Sequence, residues 1–256
     1  MTIDYPLFIQ YYSQLIWPLA RISGLFLSIP LISSSMVPGR VRAIFALTIA
    51  FVCAPLISPS MSFLNFNGTY ILIAIQELLL GVAMGFALQI VFQVFILAGQ
   101  IVALQAGLGF ATMIDPTSRA SVPLLGQLYL FIVSLIFLAL NGHIAVIGAL
   151  MDSFQQLPLG HNVWHFDSIL ALIKMSGWMF KQGVLVALPA ILSMLIVSLT
   201  FGIMTKVAPQ LNIFSIGFPI TLLMGIIIIR FGLPGLSQQI EQSLEIGMNT
   251  IYGMFQ

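Results

Sequence analysis

The sequence predicts an all-α membrane protein, and three observations support this fold class. Hydrophobic residues make up 60% of the 256 residues and charged residues only 6%, whereas about 25% of the residues in soluble domains are charged. Glycines and prolines interrupt the apolar stretches, which indicates several broken or paired helices. The charge-free windows each exceed the roughly 20 residues of a membrane-spanning helix: Ala43 to Gln76, Leu78 to Ile114, Ala120 to Met151, Gln182 to Thr205 and Val207 to Ile229.

The few charged residues limit the classes of function. A net charge of +1 argues against nucleic acid as a partner. Cys53 is the one cysteine, so no internal disulfide forms. His161 and His165 lie four residues apart, but no third metal ligand accompanies them. No nucleophile and base are paired, so we expect a non-enzymatic protein without metal or cofactor. No basic cluster precedes the first apolar run, and we expect no cleaved signal peptide.

The first apolar segment, from about Pro6 to Ser35, contains Pro18 and is predicted to be a kinked or broken helix. Arg21 lies inside it. An arginine within a membrane normally faces protein and needs a partner, which makes Arg21 a functional candidate. A structural ion pair, or a bond to a carbonyl freed by Pro18, is the alternative. A second apolar run extends from Ala43 to about Ile57.

A third apolar run, from Tyr70 to Gln105, would be about 54 Å long as a helix, too long for one simple span. Gly81 and Gly85 form a GxxxG step, which allows another helix backbone to approach closely. Glu77 has two interpretations. It is a proton relay of a transporter, or it is a structural partner for Arg21 or for a basic group of another subunit.

A short apolar loop follows this run. Gly107 and Gly109 weaken the helix, which should end near Ala106. Asp115 followed by proline suits the start of the next helix, because aspartate caps a free N–H and proline fits the first position. Asp115 and Arg119 are four apart and are predicted to pair locally.

The loop between these two helices, Gly107 to Ile114, is unusually apolar for a connection. Such backbone is tolerated at membrane depth only where protein buries it or where it lines a cavity. It is therefore either a tight connection packed between two helices or a flexible constriction that gates a passage. Its apolar side chains are Leu108, Phe110, Met113 and Ile114.

The next helix runs from Pro123 to about Leu140, and Asn141-Gly142-His143 interrupts the pattern before it resumes. A more polar stretch from Asp152 to Lys181 is the candidate boundary between two halves. Two apolar helices, Gly183 to Thr205 and Ile213 to Gly232, then form an antiparallel hairpin because their connection is short. The tail beyond Pro234 is predicted to be an amphipathic helix for a partner or a membrane surface. Its apolar face comprises Leu236, Ile240, Leu244 and Met248.

Taken together, these features resemble the FliR family, a component of the flagellar type III protein-export gate. The resemblance covers essentially the whole chain. Several motifs carry it by their order and spacing rather than singly: Arg21 with Pro30, Pro38 and Arg42; Gln76-Glu77-Leu78 with Gly81 and Gly85; Ala98-Gly99-Gln100, Gly107 and Asp115-Pro116; Asn141-Gly142-His143; and Pro209 to Phe214 with Gly217 and Pro219.

The resemblance implies one subunit of a hetero-oligomeric helical export channel in the bacterial inner membrane, at the flagellar basal body. Its partners would be FliP and FliQ homologues, with FlhB and FlhA, membrane lipid and exported flagellar proteins. Part of the complex would be raised toward the periplasm. The family pattern divides the chain into a FliP-like part at 1–151, a connection at 152–181, a FliQ-like hairpin at 182–234 and a tail at 235–256.

The family also assigns the glycine loop the role of a channel plug. On this sequence the plug is the segment from about Ala106 to Val122, with Phe110, Met113 and Ile114 as the apolar seal.

Two other functions remain open. One is the related gate of a virulence-type injectisome. The other is an ion-coupled secondary transporter using Arg21, Glu77 or Asp115, although no internal repeat typical of such transporters is evident.

Overall fold

The computed structural model describes residues 5–33, 37–56, 68–107, 124–158, 166–207 and 217–255. Over these residues the chain is α-helical and contains no β-strand. The predicted all-α class is therefore confirmed. The helices, in chain order, are α1 Tyr5–Ser28, α2 Gly39–Cys53 followed by a 3₁₀ turn Ala54–Leu56, α3 Thr69–Gln105, α4 Leu124–Ala139, α5 Gly142–Gln156, α6 Phe166–Val207 and α7 Phe218–Gly253.

Three of these helices are long and apolar enough to cross a membrane, at Ile71–Gln105, Ser168–Val207 and Pro219–Gly253, and α4 with α5 meets the same test as a pair. The three differ in how much of the apolar window is buried, which is 61% in α3 but 11% in α6 and 17% in α7. Helix α3 is thus a core element. The apolar surfaces of α6 and α7 are available to lipid or to other subunits.

Two compact units make up the chain, and neither is continuous in sequence. The first comprises Met1–Ile90, Asn141–Met175 and Glu245–Gln256. Its α1 packs on α2, where the rings of Phe26 and Phe45 lie 5.6 Å apart. The second comprises Val91–Leu140 and Ser176–Leu244.

The second unit packs the later part of α3 on α4. The rings of Phe92 and Phe137 meet edge to face at 5.5 Å. A Cβ added at Gly99 would lie 2.8 Å from the carbonyl oxygen of Leu125, which shows how closely the two backbones approach. Small residues at such crossings allow apolar helices to gain van der Waals contact.

Several predicted helix boundaries agree with the structure. Helix α3 begins at Thr69 and ends at Gln105, within one residue of the predictions. The break at Asn141 is also present, because Asn141 takes the left-handed conformation with φ 56°. Asparagine tolerates that conformation better than most residues, since its short polar side chain bonds locally.

Two prolines, Pro18 and Pro234, do not interrupt their helices where a break or an end was predicted. Pro18 lies inside a continuous α1 and does not break it. Pro234 lies inside α7, which was predicted to end at Gly232. Pro189 lies inside α6, as the predicted helix from Gly183 to Thr205 has it. An apolar segment that left the helix would lose several backbone bonds, whereas a proline inside the helix removes one.

The hairpin helices are correspondingly longer than predicted. Helix α6 begins at Phe166, inside the stretch expected to be a polar connection. The expected separate tail continues α7, and its apolar face is not free for a partner. Leu236, Ile240 and Leu244 are 6%, 0% and 8% exposed. The FliP-like and FliQ-like division itself remains a prediction.

Candidate functional site

Arg21 and Glu77 form a buried ion pair in the first unit. The Nε of Arg21 donates to Oε2 of Glu77 at 2.7 Å, and Nη2 lies 2.7 Å from the same oxygen. Their side chains are 0% and 1% exposed. Of the interpretations left open by the sequence, the structural pairing within the chain is the observed one.

The end of α5 supplies the remaining contacts of the guanidinium. Nη1 donates to Oγ of Ser153 at 3.0 Å, and Nη2 donates to the carbonyl oxygen of Leu157 at 3.1 Å. The ring of Phe154 lies 4.3 Å from the guanidinium carbon, a distance at which a cation and an aromatic face attract. Arg21 therefore joins α1, α3 and α5. We call these five residues the arginine cluster.

A buried charge pair is stable only where geometry is good and the remaining donors are satisfied. The arginine cluster meets this condition, because all three guanidinium nitrogens donate to an acceptor. Ser153 accepts from Arg21 while donating its own hydroxyl to the carbonyl of Leu150 at 2.6 Å. The charge pair is thus buried, and each guanidinium nitrogen has an acceptor.

Glycines bring Arg21 and Glu77 together. A Cβ at Gly81 would overlap the carbonyl oxygen of Arg21, and one at Gly24 would overlap that of Leu78. A Cβ at Gly85 would lie 2.6 Å from Cβ of Ser28. The predicted GxxxG step thus allows close backbone approach, here between α1 and α3. Glu77 precedes Gly81 by four residues, so both lie on one helix face.

The structure describes only the start of the predicted plug. Gly107 follows α3 with φ 82°, and its N–H donates to the carbonyl of Leu104 at 3.1 Å. Residues with a side chain rarely adopt this positive backbone φ, so glycine suits the position. The other predicted plug residues lie outside the described residues: Leu108, Gly109, Phe110, Met113 and Ile114. Asp115 and Arg119 lie outside them as well.

Ala106, where the predicted plug begins, is held closely in the second unit. A Cβ added to Gly225 of α7 would lie 2.8 Å from Cβ of Ala106. Ala106 is 2% exposed. Any larger residue at 225 would therefore push on the backbone from which the predicted plug begins.

The sequence prediction missed the contribution of α5 to the arginine cluster. Pro158 was the available signal, because a proline often follows the last turn of a helix, where backbone carbonyls lack partners. An arginine has five N–H donors and suits such acceptors.

In the part of the chain that the structure describes, no three His, Cys, Asp or Glu residues form a metal-binding group. His161 and His165 lie outside that part.

The profile of the family described as bacterial export proteins, family 1, matches residues 12–246. The chain belongs to this family. Among the relatives of this bacterial export family, the flagellar biosynthetic protein FliR of Escherichia coli strain K12 is 39% identical over 210 residues, covering 82% of the chain and 80% of the relative. Arg21, Glu77 and Ser153 all fall within the family match.

Two further relatives are less similar to this chain. The flagellar biosynthetic protein FliR of Aquifex aeolicus is 31% identical over 84% of the chain and 83% of the relative. That of Bacillus subtilis is 30% identical over 82% of each. The family match at residues 12–246 extends over the arginine cluster, the predicted plug and most of α7.

Proposed function

We propose that this chain is a subunit of the flagellar type III protein-export gate, located in the bacterial inner membrane at the flagellar basal body. The 39% identity to Escherichia coli FliR over 82% of the chain is the observation that carries the proposal. The flagellar names of its relatives favour this gate over an injectisome. The proposed function is to form and seal a channel for unfolded proteins, with no chemical step.

The proposed seal is the segment that follows α3. Its apolar side chains, Leu108, Phe110, Met113 and Ile114, would exclude water and ions from the closed channel. Gly107 supports this proposal because its positive φ lets the chain leave the helix axis sharply. The contact between Ala106 and Gly225 would hold the base of the plug while the remainder moves.

The arginine cluster has a structural role in this proposal. Its charge pair is enclosed within one unit of the chain, so it would hold α1, α3 and α5 in one arrangement. A transported ion would need a path to Glu77, which is 1% exposed. This burial disfavours the transporter interpretation.

The proposed partners are FliP and FliQ homologues, together with FlhB and FlhA, and the exported flagellar proteins are the substrates. The exposed apolar surfaces of α6 and α7 support association with other helices or lipid. We propose that part of the complex lies above the bilayer on the periplasmic side, which would accommodate the 37-residue α3.

Purification and a leak assay would test this function. We expect the tagged chain, extracted from its native membrane in mild detergent, to recover FliP and FliQ homologues. Deletion of residues 107–114 should make cells more permeable to ions while the complex still assembles. Recovery of the chain alone would contradict the proposed gate, and unchanged permeability would contradict the plug.

A further inference from the structure

A cavity of about 510 Å³ lies between α4, α6 and α7 of the second unit, and most of its walls are apolar. Two polar side chains on these walls, Tyr129 of α4 and Gln239 of α7, have no hydrogen-bond partner within the described part of the chain. Ser193 of α6 also lines the cavity, but it donates to the carbonyl oxygen of Pro189. Tyr129 is only 7% exposed. A buried hydroxyl without a partner is costly, so the cavity lacks an acceptor that a bound molecule could supply.

Gln239 lies at one end of the cavity, next to Val186 of α6. Helices α6 and α7 run antiparallel, because the ten residues between them cannot reach from one end of such long helices to the other. The cavity is lined by residues 186–193 of α6 and 228–239 of α7. Antiparallel helices therefore place Gln239 beside Val186, and Ile228 beside Ser193 at the opposite end.

Tyr129 lies at the same end as Gln239, as the contacts of α3 show. A Cβ added at Gly183 of α6 would lie 2.8 Å from Cδ2 of Leu97 in α3. Two residues further along α3, Gly99 meets the backbone of Leu125 in α4. Tyr129 follows Leu125 by one helical turn. Because α4 runs antiparallel to α3, this turn brings Tyr129 level with Leu97, and so with the part of α6 near Gly183.

The two ends of the cavity differ in polarity. Beyond the end that holds Tyr129 and Gln239, the exposed residues of α7 are polar, beginning with Ser237, Gln238 and Glu241. The other end is lined by apolar residues of α7 such as Ile228. Tyrosine is enriched where apolar protein meets the polar boundary of a membrane. The cavity is thus amphipathic along its length, with hydrogen-bond donors at one end only.

The shape of the cavity limits what can occupy it. From Gln239 to Ile228 it follows α7 for eleven residues, which is about 16 Å at 1.5 Å per residue. Its mean cross-section is then about 30 Å², whereas a helix with side chains, about 10 Å in diameter, covers about 80 Å². A helix of another subunit therefore cannot enter. Water does not suit the apolar end, because a buried water needs several polar partners. A single extended hydrocarbon chain fits.

We propose that this cavity binds one acyl chain of a membrane phospholipid. The ester or phosphate oxygens of the lipid accept hydrogen bonds from Tyr129 and Gln239, and the chain extends toward Ile228. The bound chain restores the van der Waals contacts that an empty cavity lacks. None of the lining residues is charged, so zwitterionic and anionic headgroups should bind equally well. This site goes beyond the export function and does not depend on it.

Photolabelling with a lipid probe tests the site. The full-length chain, in the complex extracted from its native membrane, is incubated with phosphatidylethanolamine that carries a diazirine near the end of one acyl chain. Mass spectrometry then maps the labels, which we expect within residues 186–193 and 228–236. Gly232→Leu should reduce them roughly tenfold or more by filling the cavity. An added Cβ at Gly232 meets nothing within 4 Å, and the same holds at Gly202, outside the cavity. Gly202→Leu should therefore leave the labelling unchanged.

Tyr129→Phe tests the polar end separately. It keeps the ring and removes the hydroxyl, so labelling titrated against the concentration of the probe should show binding weakened about threefold to tenfold. Phosphatidylglycerol with the same diazirine chain should bind the unaltered chain as tightly as phosphatidylethanolamine does.

Three outcomes overturn the lipid site. These are labels spread evenly over the exposed faces of α6 and α7, labelling that Gly232→Leu does not reduce, and a Tyr129→Phe variant that binds the probe as tightly as the unaltered chain. Labels on the exposed faces with none on the cavity walls also overturn it, and would mean that side chains of another subunit fill the cavity. If thermal unfolding shows that Gly232→Leu does not fold, the Tyr129→Phe titration decides.

Discussion

The guanidinium of Arg21 lies 2.7 Å from the carboxylate of Glu77, although 56 residues separate them in the chain. Both side chains are buried. The backbones of α1 and α3 come into contact at Gly24 and Gly81, within about one helical turn of Arg21 and Glu77. The ion pair and the glycine contact are thus two parts of one helix crossing. Each part depends on the other for its geometry.

Removing the charge of Glu77 should destabilise the chain more than removing both charges. Glu77→Gln leaves a buried guanidinium without its counter-ion, which costs about 3–5 kcal/mol. Arg21→Met combined with Glu77→Leu leaves no unpaired charge and should regain at least half of that loss. Thermal unfolding of the purified complex measures both variants. If the loss in the double variant equals the sum of the losses in Arg21→Met and Glu77→Leu alone, the two side chains are not coupled.

The glycine crossing predicts a large difference between two alanine substitutions. Gly81→Ala places a Cβ on the carbonyl oxygen of Arg21 and should lower both stability and assembly. Gly148→Ala in α5 is the matched control, since nothing lies within 4 Å of an added Cβ there. The control should be neutral or stabilising by about 0.5–1 kcal/mol. Equal unfolding temperatures for the two variants would mean that the crossing is looser than described.

The turn at Asn141 should tolerate glycine but not a β-branched residue. Its φ of 56° costs most side chains about 1–2 kcal/mol. Asn141→Gly should leave stability nearly unchanged, while Asn141→Val should lose about that amount. Both variants are compared by thermal unfolding in the same detergent. A harmless Asn141→Val would indicate that the break between α4 and α5 forms without the left-handed conformation.

The contact between Gly225 and Ala106 predicts a remote effect on the seal. Gly225→Val would displace Ala106 and therefore the start of the plug, so we expect increased ion permeability with the complex still assembled. Gly202→Val in α6 serves as the control, because an added Cβ there meets nothing within 4 Å. A proton or ion leak assay in intact cells measures the difference. If the ion permeability of cells with Gly225→Val is unchanged, this contact does not affect gating.

Local sequence rules predicted the bounds of α3 but not those of α6 and α7. The end of α3 was predictable because Gly107 and Gly109 weaken a helix whatever surrounds it. Pro18 and Pro234 misled the prediction, since an apolar chain that left the helix would lose more backbone bonds than the one that a proline removes. The length of α6 was underestimated for a related reason. Polar residues near Lys174 indicated a connection, yet helix propensity and packing carry the helix through them.

For the candidate site, the sequence identified charged residues but not every contact. Arg21 and Glu77 stand out because an apolar chain has few charges, and each needs a partner. Ser153 and Leu157 were missed because a serine hydroxyl and a backbone carbonyl have no distinctive sequence pattern. Their role depends on where α5 ends in three dimensions. The plug residues from Leu108 onward remain a prediction based on family resemblance and apolar character.

The arginine cluster also sets an order of events during synthesis. Arg21 reaches the membrane early, whereas its last partner, Leu157, follows 136 residues later. At about 5–20 residues per second, a ribosome needs roughly 7–27 s to add that length. During this interval the guanidinium must be accommodated by water, lipid phosphate or an insertion factor. Completion of the cluster therefore marks the moment at which α1, α3 and α5 become locked, after more than half of the chain has been made.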